Sequence, residues 1–268
     1  MTENFVETTA QNFVETTALP DTGVAFLTLN RPEQRNPLSS EAMRDVTAAL
    51  RKLGDDDTTR VVVIRAAGPV FSAGHDLKEM IGRTLEDEQA IFDTCVEMMQ
   101  AVQEIPQPVI ASVQGAAVAA GCQLAASCDL VVASSNAVFG TPGVKIGLFC
   151  STPMVALSRA IGRKRALQML LTGETIDAET AADWGLVNLV VAPEDLDGQT
   201  RALAAKITKA SPLTVKIGKQ AFYRQIDLPQ GEAYQAMAET MATNAVTCDA
   251  QEGMQAFVEK RTPQWQGK

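Results

Sequence analysis

The chain has 268 residues, 46% of them hydrophobic, and a formal charge of 23 − 32 = −9. This content suffices to bury a sizeable core as one large domain or a domain with an appendage. The acidic balance argues against a general nucleic-acid surface, so an anionic ligand would need a local cluster of cations.

Five cysteines (Cys95, Cys122, Cys128, Cys150, Cys248) and a single histidine, His75, show no zinc-site spacing. Reduced thiols, no metal and a cytoplasmic setting are therefore expected. No apolar run reaches membrane-spanning length and no basic-then-apolar signal opens the chain, so no membrane partner is expected.

In chain order, the opening repeats itself: NFVETTA at 4–10 recurs at 12–18. The duplication is too short for a structural repeat unit. It carries Glu and no Arg, which argues against a mitochondrial transit peptide. Residues 1–18 are expected to be an extended or disordered extension.

The apolar run 24–30, closed by Arg31 and Pro32, predicts a strand. Ser39 and Ser40 can cap a helix whose Met43, Val46, Leu50 and Leu53 recur at helical spacing. A strand at 61–65 leads into a segment of small residues at 70–76, and a long helix over 85–105 buries Ile91, Cys95, Met98, Met99 and Val102 before Pro106 ends it. The stretch 108–133 reads as a strand (109–113), a turn of Gly and Ala (115–121), a short helix and a second strand (130–133). A short strand at 137–140, helices at 152–161, 163–172 and 178–184, and a strand at 186–191 follow. From Glu194 onward the pattern is helical, with breaks at Pro212, Pro229 and near Cys248. Strands alternating with helices make the fold class α/β. The expected organisation is a core over 19–199 and a helical accessory or assembly region over 200–268.

Two small-residue turns, at 70–76 and 115–121, each follow a strand. Each could aim one backbone N–H at a single carbonyl oxygen, the geometry of an oxyanion hole. The alternative is that Gly and Ala there merely permit close packing of helix on sheet.

The region from 24 to 265 resembles the enoyl-CoA hydratase/isomerase, or crotonase, family. The resemblance is carried by LNRPEQRNPL at 29–38, FSAGHDLK at 71–78, residues 110–130, LTGE at 171–174, AADWGLV at 181–187 and EGMQAFVEK at 252–260. It implies a crotonase-like spiral of ββα units with a C-terminal helical region that joins copies into a homotrimer or homohexamer. It also implies an acyl-CoA thioester as the ligand, with no cofactor other than the coenzyme A of the substrate. The thioester oxygen would be held by the N–H groups of His75 and of Ala120, the residue before Gly121. Candidate coenzyme A contacts are Arg35 and Lys78 at the phosphates, Ala73, Asp76 and Leu77 beside them, and Phe257 and Lys260 toward the adenine end of a neighbouring subunit's ligand.

The chain departs from the family at the two positions where hydratases carry glutamates. Gln123 stands at the first and Gly143 at the second. Glutamine cannot take a proton from water near neutral pH and glycine offers no side chain. Cys150 and Ser151, in the loop after Gly147, are the candidates to face the acyl group in their place. Three readings follow: a protein that binds an acyl-CoA but hydrates it poorly, a decarboxylase of malonyl-type thioesters, or a non-catalytic acyl-CoA-binding or assembly protein.

Overall fold

Two sheets are built, and in the middle of the chain successive strands are laid alternately into each. In this computed structural model, which describes residues 6–10 and 13–268, β1 (Val6–Ala10) pairs antiparallel with β2 (Val14–Leu19), and β2 with β3 (Val24–Leu29). After α1 (Ser40–Gly54), three units repeat one plan. The first is β4 (Val61–Ala66), β5 (Val70–Ser72), α2 (Leu77–Met80) and α3 (Leu85–Glu104). The second is β6 (Val109–Val113), β7 (Ala116–Val118) and α4 (Ala120–Ser127). The third is β8 (Leu130–Ser134), β9 (Val138–Gly140), α5 (Pro153–Ile161) and α6 (Arg163–Thr172). Next come β10 (Thr175–Asp177), α7 (Ala178–Trp184) and β11 (Leu189–Val191). The first strand of each unit enters a seven-stranded sheet, β1-β2-β3-β4-β6-β8-β11, and the second a four-stranded sheet, β10-β9-β7-β5. This is the expected spiral of ββα units.

Strand β4 is apolar from Val61 to Ile64 because both of its faces are covered, and all four residues are fully buried. Ala25, Leu27, Val62 and Ile64 join one core cluster, which includes Met43, Val46 and Leu50 of α1 and Met98 and Val102 of α3. Val24, Phe26, Val61, Val63, Ile110 and Val132 join another with Leu196 and Ala204 of α8 (Leu196–Ile207). Ser39 caps α1 by accepting from Ala42 N at 3.1 Å, and Thr84 with Asp87 forms a reciprocal cap on α3.

The structure differs from the sequence expectation at three places. Val14–Leu19 is an integral strand with Val14 at 1% exposure, so it is not part of a disordered extension. Residues 1–5, 11 and 12 of that extension lie outside the described residues. The boundary at 199/200 falls inside α8, whose Leu196 and Ala204 cover the large sheet. Finally, the turn 115–121 contains β7, and β10 pairs antiparallel with β9. Three-residue strands of this kind are made by their sheet neighbours and leave little trace in local pattern.

Beyond α8 lie α9 (Pro212–Gln225), α10 (Gln230–Ala245) and α11 (Cys248–Glu259). A buried ion pair docks α9 onto the core: Lys219 Nζ lies 2.8 Å from Asp129 Oδ2 and donates to Val102 O and Gln107 O. Asp129 accepts in turn from Val109 N and from the Tyr223 hydroxyl, each at 2.7 Å. Lys219→Ala would leave the Asp129 charge without its cation, and urea unfolding should show a loss of about 3–5 kcal/mol.

Candidate active site

Strands β5, β7 and β9 run parallel in the small sheet and end at Ser72, Val118 and Gly140. Their continuations, 73–75, 119–120 and 141–143, therefore emerge at one edge, where sites in parallel sheets are commonly built. The 31–37 loop is knitted to the first of these. Asn36 is buried with φ +50°, a conformation asparagine tolerates better than most residues. Its Oδ1 accepts from Arg31 N at 2.8 Å, while its Nδ2 donates to Ala67 O and Val70 O. Ala73 N donates to Arg35 O and Leu38 N to Gly74 O, which fixes the backbone leading into the His75 amide.

The 72–75 and 119–121 segments touch main chain to main chain. A Cβ on Gly74, which has φ +92°, would lie 2.8 Å from Ala119 Cβ and 3.2 Å from Ala120 N. A Cβ on Gly121 would lie 2.7 Å from Ser72 Cβ. Only glycine permits this approach. Ala120 opens α4, so its N–H has no acceptor within the helix, and its φ is negative. The strain falls one residue earlier: Ala119 has φ 51° and ψ −120°, a region costing a non-glycine residue about 1–3 kcal/mol.

A cleft of about 850 Å³ opens over these segments. Ala73, His75, Asp76, Leu77, Lys78, Ala119 and Ala120 form one wall, and Gly143, Leu148, Phe149, Cys150 and Ser151 another, with Phe92 of α3 between. The His75 ring meets Phe92 edge-on at 5.4 Å between centroids. Both ring nitrogens are buried without a hydrogen-bond partner among the described residues. Burial pushes the imidazole below its ordinary pKa, with the Leu38 main chain and the Glu79 charge opposing. The ring thus packs as a neutral group while its backbone N–H remains part of the wall.

Gly143 follows Pro142 in a 3-10 turn, Pro142–Ile146. The space beside it is filled: a Cβ there would meet the Leu148 carbonyl oxygen and come within 2.8 Å of Cys150 Sγ. Leu148 N donates to Gly143 O at 3.0 Å, folding the 147–150 loop back onto this position.

Comparison with known proteins places this architecture. The family model described as enoyl-CoA hydratase/isomerase matches residues 20–268. The chain belongs to the enoyl-CoA hydratase/isomerase family. It is 45% identical over 244 residues to the human enoyl-CoA hydratase domain-containing protein 3, covering 91% of this chain and 80% of that protein. The Xenopus laevis protein of that name is 46% identical, covering 91% and 83%. Among solved structures, an enoyl-CoA hydratase of Mycobacterium smegmatis superposes with a TM-score of 0.93 at 46% identity, covering 95% of this chain and 99% of that one. The human domain-containing protein 3 superposes with a TM-score of 0.92 at 42% identity, covering 95% and 100%.

These relatives correct one expectation. The human and Xenopus laevis proteins are named as mitochondrial, which overturns the cytoplasmic setting. Reduced thiols and the absence of a zinc pattern suit any reducing compartment, so they never discriminated between the two.

Of the residues that the family resemblance singled out, His75, Ala120, Gly143, Cys150, Ser151, Ala73, Asp76, Leu77 and Lys78 line the cleft. Asp76 also caps α2, accepting from Lys78 N at 3.0 Å. Gly121 and Gln123 are buried in α4 without lining it, and the Gln123 Oε1 faces Cys95 Sγ at 3.9 Å. Arg35 is exposed and contributes its carbonyl to Ala73 rather than a side chain to the cleft. Phe257, at 85% exposure, and Lys260 lie on α11 and its cap, also off the cleft. Ser151 Oγ contacts Phe149 O at 3.4 Å. Sequence reasoning missed Phe92, Lys145 and the Glu33–Gln34 pair, which line the cleft. Phe92 is adjacent to Ile91 in the α3 pattern and offered no signal of its own.

His75 is the only histidine, so its imidazole gives a single resonance in NMR titration. Its midpoint should fall below the free value of about 6.5. Between the two values the unfolded chain holds more protons, so stability present at neutral pH should be lost as pH falls below about 6.5.

Proposed function

We propose that the cleft binds an acyl-CoA thioester, with the N–H groups of His75 and Ala120 donating to the thioester oxygen and stabilising an enolate. The observation that supports this most directly is the contact of Gly74 with Ala119 and Ala120, which sets the two amides on adjoining main-chain segments at the cleft wall. Each donor of such a hole is worth about 10²- to 10³-fold in rate. Lys78, exposed on the cleft wall, is the cation offered to the coenzyme A phosphates, with Arg35, whose carbonyl accepts from Ala73 N, as a second and Phe257 and Lys260 serving a neighbouring copy's ligand. Calorimetry with butyryl-CoA and palmitoyl-CoA should detect binding, weakened several-fold by Lys78→Ala. No heat with either ligand would refute the reading.

In this reading ordinary hydration is weak. Positions 123 and 143 carry no carboxylate, and each general acid or base typically contributes about 10²- to 10⁴-fold. A second reading, loss of carbon dioxide from a malonyl-type thioester, is favoured by the same observation. The breaking C–C bond delivers its electron pair directly to the enolate, which then takes a proton from water at the α-carbon, so the amides suffice without a base. Crotonyl-CoA hydration should sit near background. Turnover on the order of 10 s⁻¹ or more would show the argument to be wrong. Gly143→Glu should not restore hydration, because the Leu148 carbonyl and Cys150 occupy the space its side chain needs. Gln123→Glu should lower the melting temperature by burying a carboxylate beside Cys95.

We also propose that the helices after α8 join copies into a homotrimer or homohexamer. Phe222, Tyr234, Met241, Val246 and Phe257 are 53–85% exposed there, more apolar surface than a lone appendage usually presents. Light scattering at micromolar concentration should give a mass of three or six chains, and a monomer would refute it.

A further inference from the structure

Among the described residues, the cleft wall carries one thiol. Cys150 closes the loop that folds over Gly143, is 8% exposed, and has its sulfur in the space a side chain at 143 would fill. Burial pushes its thiol above the ordinary range, and the Gly143 main-chain amide opposes that in part. Two features independent of the cysteine mark this place as one that receives a ligand. One is the cleft of about 850 Å³, and the other is the pair of amides across it at His75 and Ala120. Cys95, Cys122 and Cys128 are buried away from the cleft, with burial pushing the thiols of Cys95 and Cys122 up to about 12, and Cys248 is exposed elsewhere on α11.

We infer that Cys150 is a covalent attachment site for α,β-unsaturated acyl thioesters bound in this cleft, an inference that rests on the acyl-CoA reading above. An amide pair that polarises a thioester carbonyl makes a conjugated β-carbon electrophilic, and a thiolate is the strongest nucleophile on this wall. The sulfur forms a bond to the β-carbon as the C=C π pair moves through the α-carbon onto the thioester oxygen, held by the two N–H groups. The thiol proton passes to water in the cleft and a proton returns to the α-carbon. The product is a thioether that retains the whole coenzyme A thioester, with no leaving group, oxidant or reductant.

The test is intact-mass spectrometry of the full chain incubated with acrylyl-CoA or crotonyl-CoA, with peptide mapping of the adduct. The expected result is a single addition equal to the whole thioester, mapped to Cys150 and saturating with ligand concentration. Excess butyryl-CoA should slow it at least tenfold, and the exposed Cys248→Ser variant should leave it unchanged. Cys150→Ser should abolish it, but the mapped site in the unaltered chain decides the matter even if that variant folds poorly. Butyryl-CoA binding by calorimetry without any adduct overturns the attachment site and leaves the acyl-CoA reading standing. Equal labelling of Cys248 and Cys150, insensitive to butyryl-CoA, overturns it as untemplated alkylation. No butyryl-CoA binding overturns both.

Discussion

The close approach of the 72–75 backbone to the 119–121 backbone is the constraint on which the site depends. It places two amides from different ββα units on one wall, and it is possible only because Gly74 and Gly121 have no side chains to interpose. The spiral supplies the means, since β5, β7 and β9 are neighbours in the small sheet and deliver their following segments to the same edge. The strained Ala119 is held there by main-chain bonds on both sides, its N–H donating to Gly140 O and its carbonyl accepting from Gln123 N. A local conformation that costs about 1–3 kcal/mol persists only when its surroundings determine it this fully.

Much of this was legible in the sequence where short-range chemistry governs. The Ser39 cap and the Met43, Val46, Leu50 face of α1 follow from spacing alone, and the buried positions of α3 do likewise. The two glycine turns pointed to the amide pair, and the family motifs assigned their residues. What stayed hidden depended on contacts made across the chain. Gln123 follows the motif into α4, but the helix turns its side chain toward Cys95 and away from the cleft. Gly143 reads in sequence as a deleted side chain, whereas the fold has refilled the space with Leu148 and Cys150. The second copy of the duplicated opening was expected to be extended or disordered, yet β3 gives it a partner strand that no local pattern announces.

The refilled space changes what the missing glutamate means. Loss of a carboxylate from an open pocket would leave room for water or a restored side chain. Here the 147–150 loop is bonded back to Gly143 through Leu148 N, so the space beside that position is closed. On the proposed reading, the two kinds of catalytic contribution therefore come apart. Amide donors that stabilise charge on oxygen are fixed by backbone geometry and survive any side-chain change that keeps the turns. Proton transfer needs a titratable group at one point, and at Gly143 the neighbouring space holds the sulfur of Cys150. On the reading proposed above, such a site would keep a contribution of about 10²- to 10³-fold for each amide and would lack the 10²- to 10⁴-fold of each carboxylate. On that reading, reactions that generate their own electron pair beside the thioester could use what remains, and addition of water would be slow. Relatives that share the fold and the amides but differ at these positions can thus share a family name without sharing a reaction, because the name follows the backbone and the reaction follows the loop.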